Sequence, residues 1–279
     1  MTSTPHPPTS AVTSRLGTEG VTLAYDRRVV STDLSVAVPD GSFTVIIGPN
    51  GCGKSTLLRS LARLLKPKAG RVVLDGKAVS SYHGKEAARI VGLLPQTSLA
   101  PDGITVADLV ARGRYPHQGL IRGFSAADKL AVDRAMAATG VADLASRPVD
   151  ELSGGQRQRV WVAMALAQET PLLLLDEPTT YLDIAHQIDL LDLFAGLHRG
   201  GSTLVAVLHD LNQATRYATH LIVMKDGAVA AEGPPREIFT ADLVREVFGL
   251  PCVVIEDPVS GTPLVVPTSL GHVQDQTKV

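Results

Sequence analysis

The sequence predicts an α/β fold in which helices cover both faces of a mainly parallel β-sheet. Short apolar strands alternate with helical stretches along most of the 279 residues, and this alternation favours parallel strands joined by helical crossovers. Hydrophobic residues make up 44% of the chain and aromatic residues only 4%, so Val, Leu, Ile and Ala must form most of the core. Such a core is typical of parallel sheets that are buried on both faces.

The composition excludes several classes of protein. The apolar content, together with only 19% charged residues, excludes a globally disordered chain. Lys and Arg number 26 against 28 Asp and Glu, and this balance is not that of a dedicated nucleic-acid binder. We therefore expect no nucleic-acid partner. Cys52 and Cys252 lie far apart and fit no metal-ligand spacing, which favours reduced thiols in the cytoplasm.

The apolar runs have the length of strands. The longest, such as residues 172–175 and 203–208, are far shorter than the ~20 residues that a membrane-spanning helix needs. The first 14 residues are rich in Thr, Ser and Pro and lack the apolar segment of a signal peptide. We therefore expect that the chain does not cross a membrane itself.

The length favours a single domain that carries an insertion. We predict a disordered tail over residues 1–15, one domain over residues 16–270 and a C-terminal tail over residues 271–279. Inside the domain, the pattern changes from strands to helical periods over about residues 97–168. This stretch is predicted to form a small helical subdomain inserted into the α/β core.

The elements follow in order along the chain. Before the insertion, we predict strands at residues 43–47, 71–74 and 90–94, and a helix at residues 54–65. Within it, helical periods occupy residues 105–112 and 125–139, and a third begins after Ser153. After it come strands at 172–175, 203–208 and 221–224, a helix at 184–197, and a terminal β-hairpin formed by 252–255 and 264–266.

A phosphate-loop pattern, G-x-x-x-x-G-K-[ST], follows the first of these strands. Its glycines allow the backbone N–H groups to surround a phosphate, and the next helix adds its positive N-terminus. Lys54 is expected to contact the β- and γ-phosphates, and the Ser55 hydroxyl to bind Mg²⁺. A chance Gly-rich turn is the alternative, but the complete pattern lies between a strand and a helix. The expected nucleotide contacts are Gly48, Pro49, Asn50, Gly51, Cys52, Gly53, Lys54, Ser55 and Thr56.

Two carboxylates end the apolar strand at residues 172–175. Burial of Asp176 and Glu177 would be costly unless they face a cation or water. At the carboxyl end of a parallel strand, Asp176 can help to hold Mg²⁺ beside the phosphate loop. Glu177 is one residue nearer the γ-phosphate and can polarise an attacking water. Two exposed turn carboxylates are the alternative. Together with the phosphate loop, this pair indicates a P-loop NTPase.

A third motif, Leu-Ser-Gly-Gly-Gln at residues 152–156, precedes the same strand. Ser153 caps a helix that begins with Gly154 and Gly155, and such a helix N-terminus can bind an anion. One chain needs only one triphosphate site, so a second anion site suggests a nucleotide that belongs to another copy. A simple cap followed by a basic helix face is the alternative.

These motifs resemble those of the ATP-binding cassette (ABC) family over nearly the whole chain. Residues 152–156 match its signature, and residues 48–56 and 172–177 match its Walker A and Walker B elements. The resemblance implies a RecA-like P-loop fold with an additional antiparallel β region, and it implies ATP with Mg²⁺ as cofactors. It also implies that Ser153, Gly154, Gly155 and Gln156 bind the ATP held by a second copy.

The resemblance assigns four further residues. Gln96 matches the glutamine that contacts Mg²⁺ and the membrane partner, and residues 181–183, which end in Asp183, match the D-loop of the family. His209 follows a strand as the switch histidine of the family does, within reach of the γ-phosphate. Tyr25 lies where the family stacks an aromatic ring on adenine, although packing is the common alternative for such a residue. Glu177, His209 and Lys54 are thus the expected catalytic residues, and Ser55, Gln96 and Asp176 the expected metal ligands.

Finer features resemble the ATPases of ferric-siderophore, haem and cobalamin importers. The segments concerned are residues 110–117, 149–153, 161–168 and 178–187, and they look most similar to iron-siderophore importers. The resemblance implies a peripheral protein on the cytoplasmic face of the cell membrane that hydrolyses ATP to drive import. Its implied partners are a second copy, two membrane-spanning permease subunits and, indirectly, an extracytoplasmic substrate-binding protein.

Two other classes were weighed against an importer. Soluble ABC ATPases that act on DNA or the ribosome usually carry coiled coils, zinc modules or a second cassette, and this sequence contains none of them. Many exporters fuse the cassette to membrane helices, which are absent from the sequence. An ATPase of a haem, cobalamin or other importer stays open as the alternative to iron-siderophore import.

Overall fold

The computed structural model describes the chain in three stretches, residues 14–96, 100–119 and 123–268. The predicted C-terminal tail at residues 271–279 lies outside them. Residues 1–13 of the predicted N-terminal tail also lie outside the described part of the chain.

The predicted tail was wrong at its last two residues, because the first strand begins at Ser14. Arg15 is held in this strand by Asp75, whose carboxylate lies 2.7 Å from the guanidinium Nε. The ion pair lowers the pKa of Asp75 and fixes the start of the domain. Because this contact joins residues 60 positions apart, the Thr-, Ser- and Pro-rich composition of the first residues could not predict it.

Twelve strands form three sheets in the described residues. They are β1 (Ser14–Tyr25), β2 (Arg28–Pro39), β3 (Phe43–Ile47), β4 (Ala69–Leu74), β5 (Lys77–Ala78), β6 (Val91–Leu94), β7 (Leu172–Asp176), β8 (Thr203–Val207), β9 (His220–Lys225), β10 (Ala228–Gly233), β11 (Cys252–Glu256) and β12 (Pro263–Pro267). The same residues contain nine α-helices: α1 (Lys54–Leu61), α2 (Gly84–Ile90), α3 (Val106–Ala111), α4 (Ala126–Ala138), α5 (Gly154–Ala167), α6 (Ile184–Arg199), α7 (Leu211–Tyr217), α8 (Pro235–Ile238) and α9 (Ala241–Phe248).

The central sheet has six strands in the order β10-β9-β3-β8-β7-β6. Strands β9, β3, β8, β7 and β6 are parallel to their neighbours, and only β10 is antiparallel, at the edge. Every residue of β3, β7 and β8 is buried. The predicted mainly parallel sheet is confirmed, and burial on both faces explains the continuous apolar runs.

A second sheet provides the antiparallel region, in the order β2-β1-β4-β5. It covers one face of the central sheet together with α1, while α3, α4, α5 and α6 cover the other face. In β7, Leu173 and Leu175 join the core on the helical face, whereas Leu172 and Leu174 join the core under the antiparallel sheet. This alternation follows from the two-residue period of a strand.

Helices α3, α4 and α5 lie between β6 and β7 and agree with the three predicted helical periods. Between them, the side chain of Arg114 is 93% buried and joins three elements. Its Nε donates to Asp128 of α4 at 2.8 Å, and its Nη1 donates to the carbonyl of Ala167 at 2.8 Å and to Glu169 at 2.9 Å. The 3₁₀ segment Arg112–His117 is thereby fixed to both longer helices.

Predicted boundaries near α1 and α2 were wrong. The helix predicted over residues 54–65 ends at Leu61, because Arg63 adopts a left-handed conformation with φ 64°. The N–H groups of Leu64 and Leu65 then both donate to the carbonyl of Arg59, which closes the helix. The strand predicted at residues 90–94 begins one residue later, and Ile90 instead ends α2.

The predicted terminal hairpin is confirmed by the antiparallel pairing of β11 with β12. Its register pairs Val254 with Val265. Across the described stretches, no helix has both the length and the apolar content that crossing a membrane would need.

The buried ion pair in α4 leads to a prediction about acid stability. Hydrogen bonds from Ser125 and Arg114 lower the pKa of Asp128 to about 2. Because this pKa is below that of the unfolded chain, the carboxylate contributes about 2 kcal/mol of stability near neutral pH, and this contribution declines as the pH falls through 4 toward 2. We predict that from pH 5 to pH 3 the free energy of unfolding falls by about 1 kcal/mol more in the wild type than in Asp128→Asn.

Urea titrations at several pH values measure this difference. Asp133→Asn is the matched control, because Asp133 pairs with Lys129 on the exposed side of the same helix, at 2.7 Å. Its pH dependence should follow the wild type, since exposed ion pairs contribute little. Equal pH dependence in wild type and Asp128→Asn would contradict the assigned role of Asp128.

Candidate nucleotide-binding site

The phosphate loop joins the carboxyl end of β3 to the first residue of α1. Gly48 has φ 155°, and a Cβ at this position would collide with the carbonyl oxygen of Met224. Gly53 has φ 107° and is the N-cap residue of α1. Both positions therefore require glycine, one because another backbone approaches closely and the other because of its left-handed conformation.

Lys54 is the first residue of α1 and is only 6% exposed. Its Nζ donates hydrogen bonds to the carbonyl oxygens of Gly48 at 2.8 Å and Pro49 at 3.0 Å. The ammonium group thus lies inside the curve of the loop, where it places a positive charge beside a cleft of about 260 Å³. The residues that line this cleft are Tyr25, Arg28, Val30, Asn50, Gly51, Gly53, Lys54, Ser55, Thr56, Glu177 and His209.

Asp176 ends β7 beside the phosphate loop. Its side chain is 98% buried, and its Oδ2 lies 3.8 Å from Nε of Arg59. Burial raises the pKa of Asp176, and the contacts with Ser55 and Arg59 oppose that rise. Oδ1 of Asp176 is buried and has no hydrogen-bond partner. A buried carboxylate oxygen without a partner is costly, and a cation would compensate it.

Glu177 brings three of the predicted site residues together. Nε2 of Gln96 donates to Glu177 Oε2 at 2.7 Å, and Nε2 of His209 lies 2.8 Å from Glu177 Oε1. Thr180 adds a longer contact of 3.4 Å to Oε2. Glu177 itself has φ 52°, a conformation that is uncommon outside glycine and that turns the chain sharply after Asp176. Both carboxylate oxygens are therefore held in place at the edge of the cleft.

Comparison with known proteins agrees with this geometry. The model of the ABC transporter family matches residues 31–180, which is more than half of the chain. The ferric enterobactin transport ATP-binding protein FepC of Escherichia coli (strain K12) is 58% identical over 255 residues, which cover 91% of this chain and 94% of that protein. The chain belongs to the ABC transporter family. It is accordingly an ATP-binding protein and an ABC-type ATPase.

Solved structures of ABC proteins share the fold. The inward-facing conformation of a metal-chelate type ABC transporter is 29% identical, with a TM-score of 0.77 over 91% of this chain and 97% of that one. A dimeric bacterial ABC transporter cassette is 27% identical, with a TM-score of 0.71 over 78% of this chain and 98% of that one. The arrangement of sheets and helices described above is therefore the ABC ATPase fold.

The ABC signature segment does not belong to the cleft of its own chain. Ser153 is the N-cap of α5 and forms a capping box with Gln156, each side chain accepting a hydrogen bond from the backbone N–H of the other. Ser153 and Gly154 are exposed, and Gly155 lies against Leu182, so that a Cβ there would come within 3.3 Å of Leu182 Cδ2. Among the described residues, the lining of the cleft includes none of the signature residues.

Asp183 also lies apart from the cleft, at the start of α6. Its carboxylate accepts a hydrogen bond from the N–H of His186 at 3.0 Å and lies 2.7 Å from that residue's Nδ1. These contacts lower the pKa of Asp183. The D-loop therefore ends in a helix cap, with Asp183 held by its own helix.

Two of the predicted loop residues face inward. Pro49 contributes its carbonyl to Lys54, and Cys52 is buried. Burial raises the pKa of the Cys52 thiol, and its side chain packs in the core under the antiparallel sheet. Tyr25 does line the cleft, is 41% exposed, and accepts a hydrogen bond from Arg59 at 3.4 Å.

Three residues of this site carry no motif and were not predicted from the sequence. Arg28 and Val30 of β2 line the cleft because the β1–β2 turn brings Arg28 opposite Tyr25. Arg59, one turn along α1 from Ser55, contacts both Tyr25 and Asp176. The helical spacing of Arg59 was the only available signal, since no motif marks Arg28 or Val30.

The position of Lys54 leads to a prediction about ATP affinity. Lys54→Ala removes the buried charge beside the cleft, and hydrogen bonds that involve charged groups are among the strongest in proteins. We predict that ATP binding, measured by calorimetry, weakens about 10- to 100-fold. Lys66→Ala is the control, because Lys66 is an exposed lysine that lies outside the cleft lining. Unchanged ATP affinity in a folded Lys54→Ala variant would contradict the phosphate-loop assignment.

Proposed function

We propose that this protein is the ATP-hydrolysing subunit of an importer for ferric siderophores or a related iron chelate. The hydrolytic function is supported mainly by one observation: the Glu177 carboxylate lies at the edge of the phosphate-loop cleft, between Gln96 and His209. The class of cargo is supported by the 58% identity with a ferric enterobactin transport protein.

The residues of the cleft have separate tasks in hydrolysis. Lys54 and the backbone N–H groups of the phosphate loop hold the β- and γ-phosphates, and Tyr25 stacks on the adenine. Glu177 accepts a proton from the attacking water, which makes it the general base. His209 orients the Glu177 carboxylate and reaches the γ-phosphate. Phosphoryl transfer requires mainly this positioning and charge stabilisation.

Ser55, Gln96 and Asp176 would hold Mg²⁺. The donor set fits this ion, because Mg²⁺ prefers oxygen ligands and the buried Oδ1 of Asp176 lacks a partner. Bound there, Mg²⁺ neutralises negative charge on the phosphates.

Two copies act together, with each ATP held between the phosphate loop of one and the signature residues Ser153–Gln156 of the other. The exposed signature segment, which is absent from its own cleft, supports this arrangement, as does the dimeric cassette of the same fold. Tyr181 and Ile184, on either side of Asp183, are 74% and 77% exposed, as expected if the second copy covers them. Without nucleotide, the chain is mainly monomeric.

The inserted helical subdomain, at about residues 97–168, transmits ATP-driven motion to two permease subunits. The surface that supports this is formed by α2 and the segment Arg112–His117. Tyr115 there is 64% exposed, with Nζ of Lys85 at 4.6 Å from its ring centroid, and Arg89 donates to the carbonyl of Pro116 at 2.9 Å. These contacts therefore join the two elements.

An apolar groove of about 280 Å³ lies between α2 and the end of α1, and Leu64 at its edge is 65% exposed. This groove and Tyr115 offer the permease an apolar contact surface. The protein is then peripheral, on the cytoplasmic face of the membrane, and receives the signal of a loaded extracytoplasmic binding protein through the permease.

A haem, cobalamin or other importer ATPase is the alternative in the same class. A soluble ABC ATPase that acts on nucleic acid is less well supported, since the net charge is −2. The test is to purify the complex with its permease and measure ATP hydrolysis with the binding protein loaded with ferric chelates, haem or cobalamin. Stimulation by a ferric chelate alone supports the proposal, and stimulation by haem or cobalamin alone supports the alternative.

The assignment of Glu177 predicts a trapped dimer. Glu177→Gln keeps the size of the side chain but removes the general base, so hydrolysis should fall about 10²–10⁴-fold. ATP should still bind, because Lys54 and the phosphate loop are unchanged. We predict that this variant elutes as a dimer in size-exclusion chromatography with Mg-ATP, and as a monomer without nucleotide.

Ser153→Arg in the Glu177→Gln background separates binding from dimer formation. The added side chain lies on the surface that the second copy must approach, so we expect ATP binding within about twofold of Glu177→Gln but no dimer. Dimer formation by the double variant, or loss of ATP binding, would contradict an action of Ser153 on the other copy's ATP.

The proposed permease surface predicts a separate defect. Tyr115→Ala should leave ATP hydrolysis by the isolated chain within about twofold, because Tyr115 is outside the cleft lining. In the complex, we predict that stimulation by the loaded binding protein is lost. Phe124→Ala is the matched control, since Phe124 is an exposed aromatic residue of the same helical region. Equal loss of stimulation in both variants would contradict a specific role for Tyr115.

A further inference from the structure

Two glutamines connect the helices that follow the D-loop and the switch histidine. Nε2 of Gln213 in α7 donates to Oε1 of Gln187 in α6 at 2.8 Å. Both side chains are partly buried. The pair joins residues 26 positions apart, and neither residue belongs to the phosphate loop, the signature or the Walker B element.

Gln187 uses its other amide atom to hold the D-loop. Its Nε2 donates to the carbonyl of Leu182 at 3.0 Å and to that of Thr179 at 3.3 Å. Thr179 is two residues after Glu177, so these bonds fix the chain directly downstream of the carboxylate. The amide of Gln187 therefore has partners on both its oxygen and its nitrogen.

The hydrogen bond between Gln187 and Gln213, here called the bridge, is connected to His209 through the start of α7. The backbone N–H of Gln213 donates to Oδ1 of Asp210 at 2.8 Å, and Asp210 is the N-cap residue of α7. His209 precedes Asp210 directly and contacts Glu177 at 2.8 Å. Together with the backbone between them, these contacts close a ring. It runs from Glu177 through the D-loop to Gln187, across to Gln213, and through His209 back to Glu177.

Helix α7 is fixed to the C-terminal hairpin on another side. Asn212 donates to the carbonyl of Val265 at 3.2 Å and accepts from its N–H at 2.7 Å, and Thr215 donates to the carbonyl of Pro263 at 2.7 Å. The hairpin thus holds the body of α7. Gln213 makes the contact between α7 and α6 that lies nearest to His209.

We propose that Gln187 and Gln213 form a positioning pair, which holds His209 against Glu177 and couples that contact to the position of the D-loop. In the proposed dimer the D-loop meets the second copy, so the bridge lets each copy sense its partner at its own Glu177. The proposal rests on the proposed function. Neither glutamine is a catalytic residue, since both act through His209 and the D-loop.

Gln187→Met, Gln213→Met and the double variant test the pair, because methionine keeps the length of glutamine and removes its hydrogen bonds. We expect kcat for ATP hydrolysis to fall about 10- to 100-fold in each single variant, the size of effect that a small misplacement of reacting groups produces. The Kd for ATP should stay within about twofold. The double variant should be no slower than the slower single variant, since the two residues form one bridge.

Asn212→Leu is the matched control, because it removes two hydrogen bonds from the same helix on the hairpin side. It should lower the Tm yet leave kcat within about threefold when assayed well below that temperature. Multiplicative losses in the double variant, weakened ATP binding, or an equal loss of kcat in Asn212→Leu would each overturn the proposal. Glu177→Gln in the same assay is the reference: if it keeps its rate, the proposed site has failed, independently of the bridge.

Discussion

Parallel strands bring their carboxyl ends to one edge of a sheet, and the phosphate loop and the polar groups beside it depend on this constraint. Strand β3 leads into the phosphate loop, β7 ends in Asp176 and Glu177, and β8 is followed by His209, while neighbouring β6 leads to Gln96. Because β3, β7 and β8 are buried on both faces, a shift of register would move side chains between two different cores. The packing of the sheet therefore sets the distances among groups that lie far apart in sequence.

The contacts of Glu177 fix its carboxylate at the edge of the cleft. A carboxylate offers about four acceptor positions, and Gln96, His209 and Thr180 occupy three of them. If Glu177 is the general base, as proposed, the remaining position accepts the proton from water while the side chain stays fixed. A general base with a single open position is selective for the direction of attack, because water must approach from the side that its neighbours leave free.

Sequence reasoning succeeded where consecutive residues carry the signal. The apolar runs of β7 and β8, the phosphate loop and the Ser153 cap are all local patterns, and the structure contains the strands, the loop and the cap. It failed at the end of α1, where a left-handed Arg63 has no sequence signature. It also missed Arg28 and the Gln187–Gln213 bridge, because only the tertiary fold brings their partners together.

The bonds of Lys54 to Gly48 and Pro49 have a consequence for nucleotide exchange. The ammonium group donates to two carbonyl oxygens of its own loop, and in the role proposed for Lys54 these oxygens take the place of phosphate oxygens. Arrival of ATP is then a replacement reaction, in which phosphate oxygens compete with carbonyl oxygens for the same cation. Departure of ADP is assisted by the same competition, since the carbonyls stand ready to take the ammonium back.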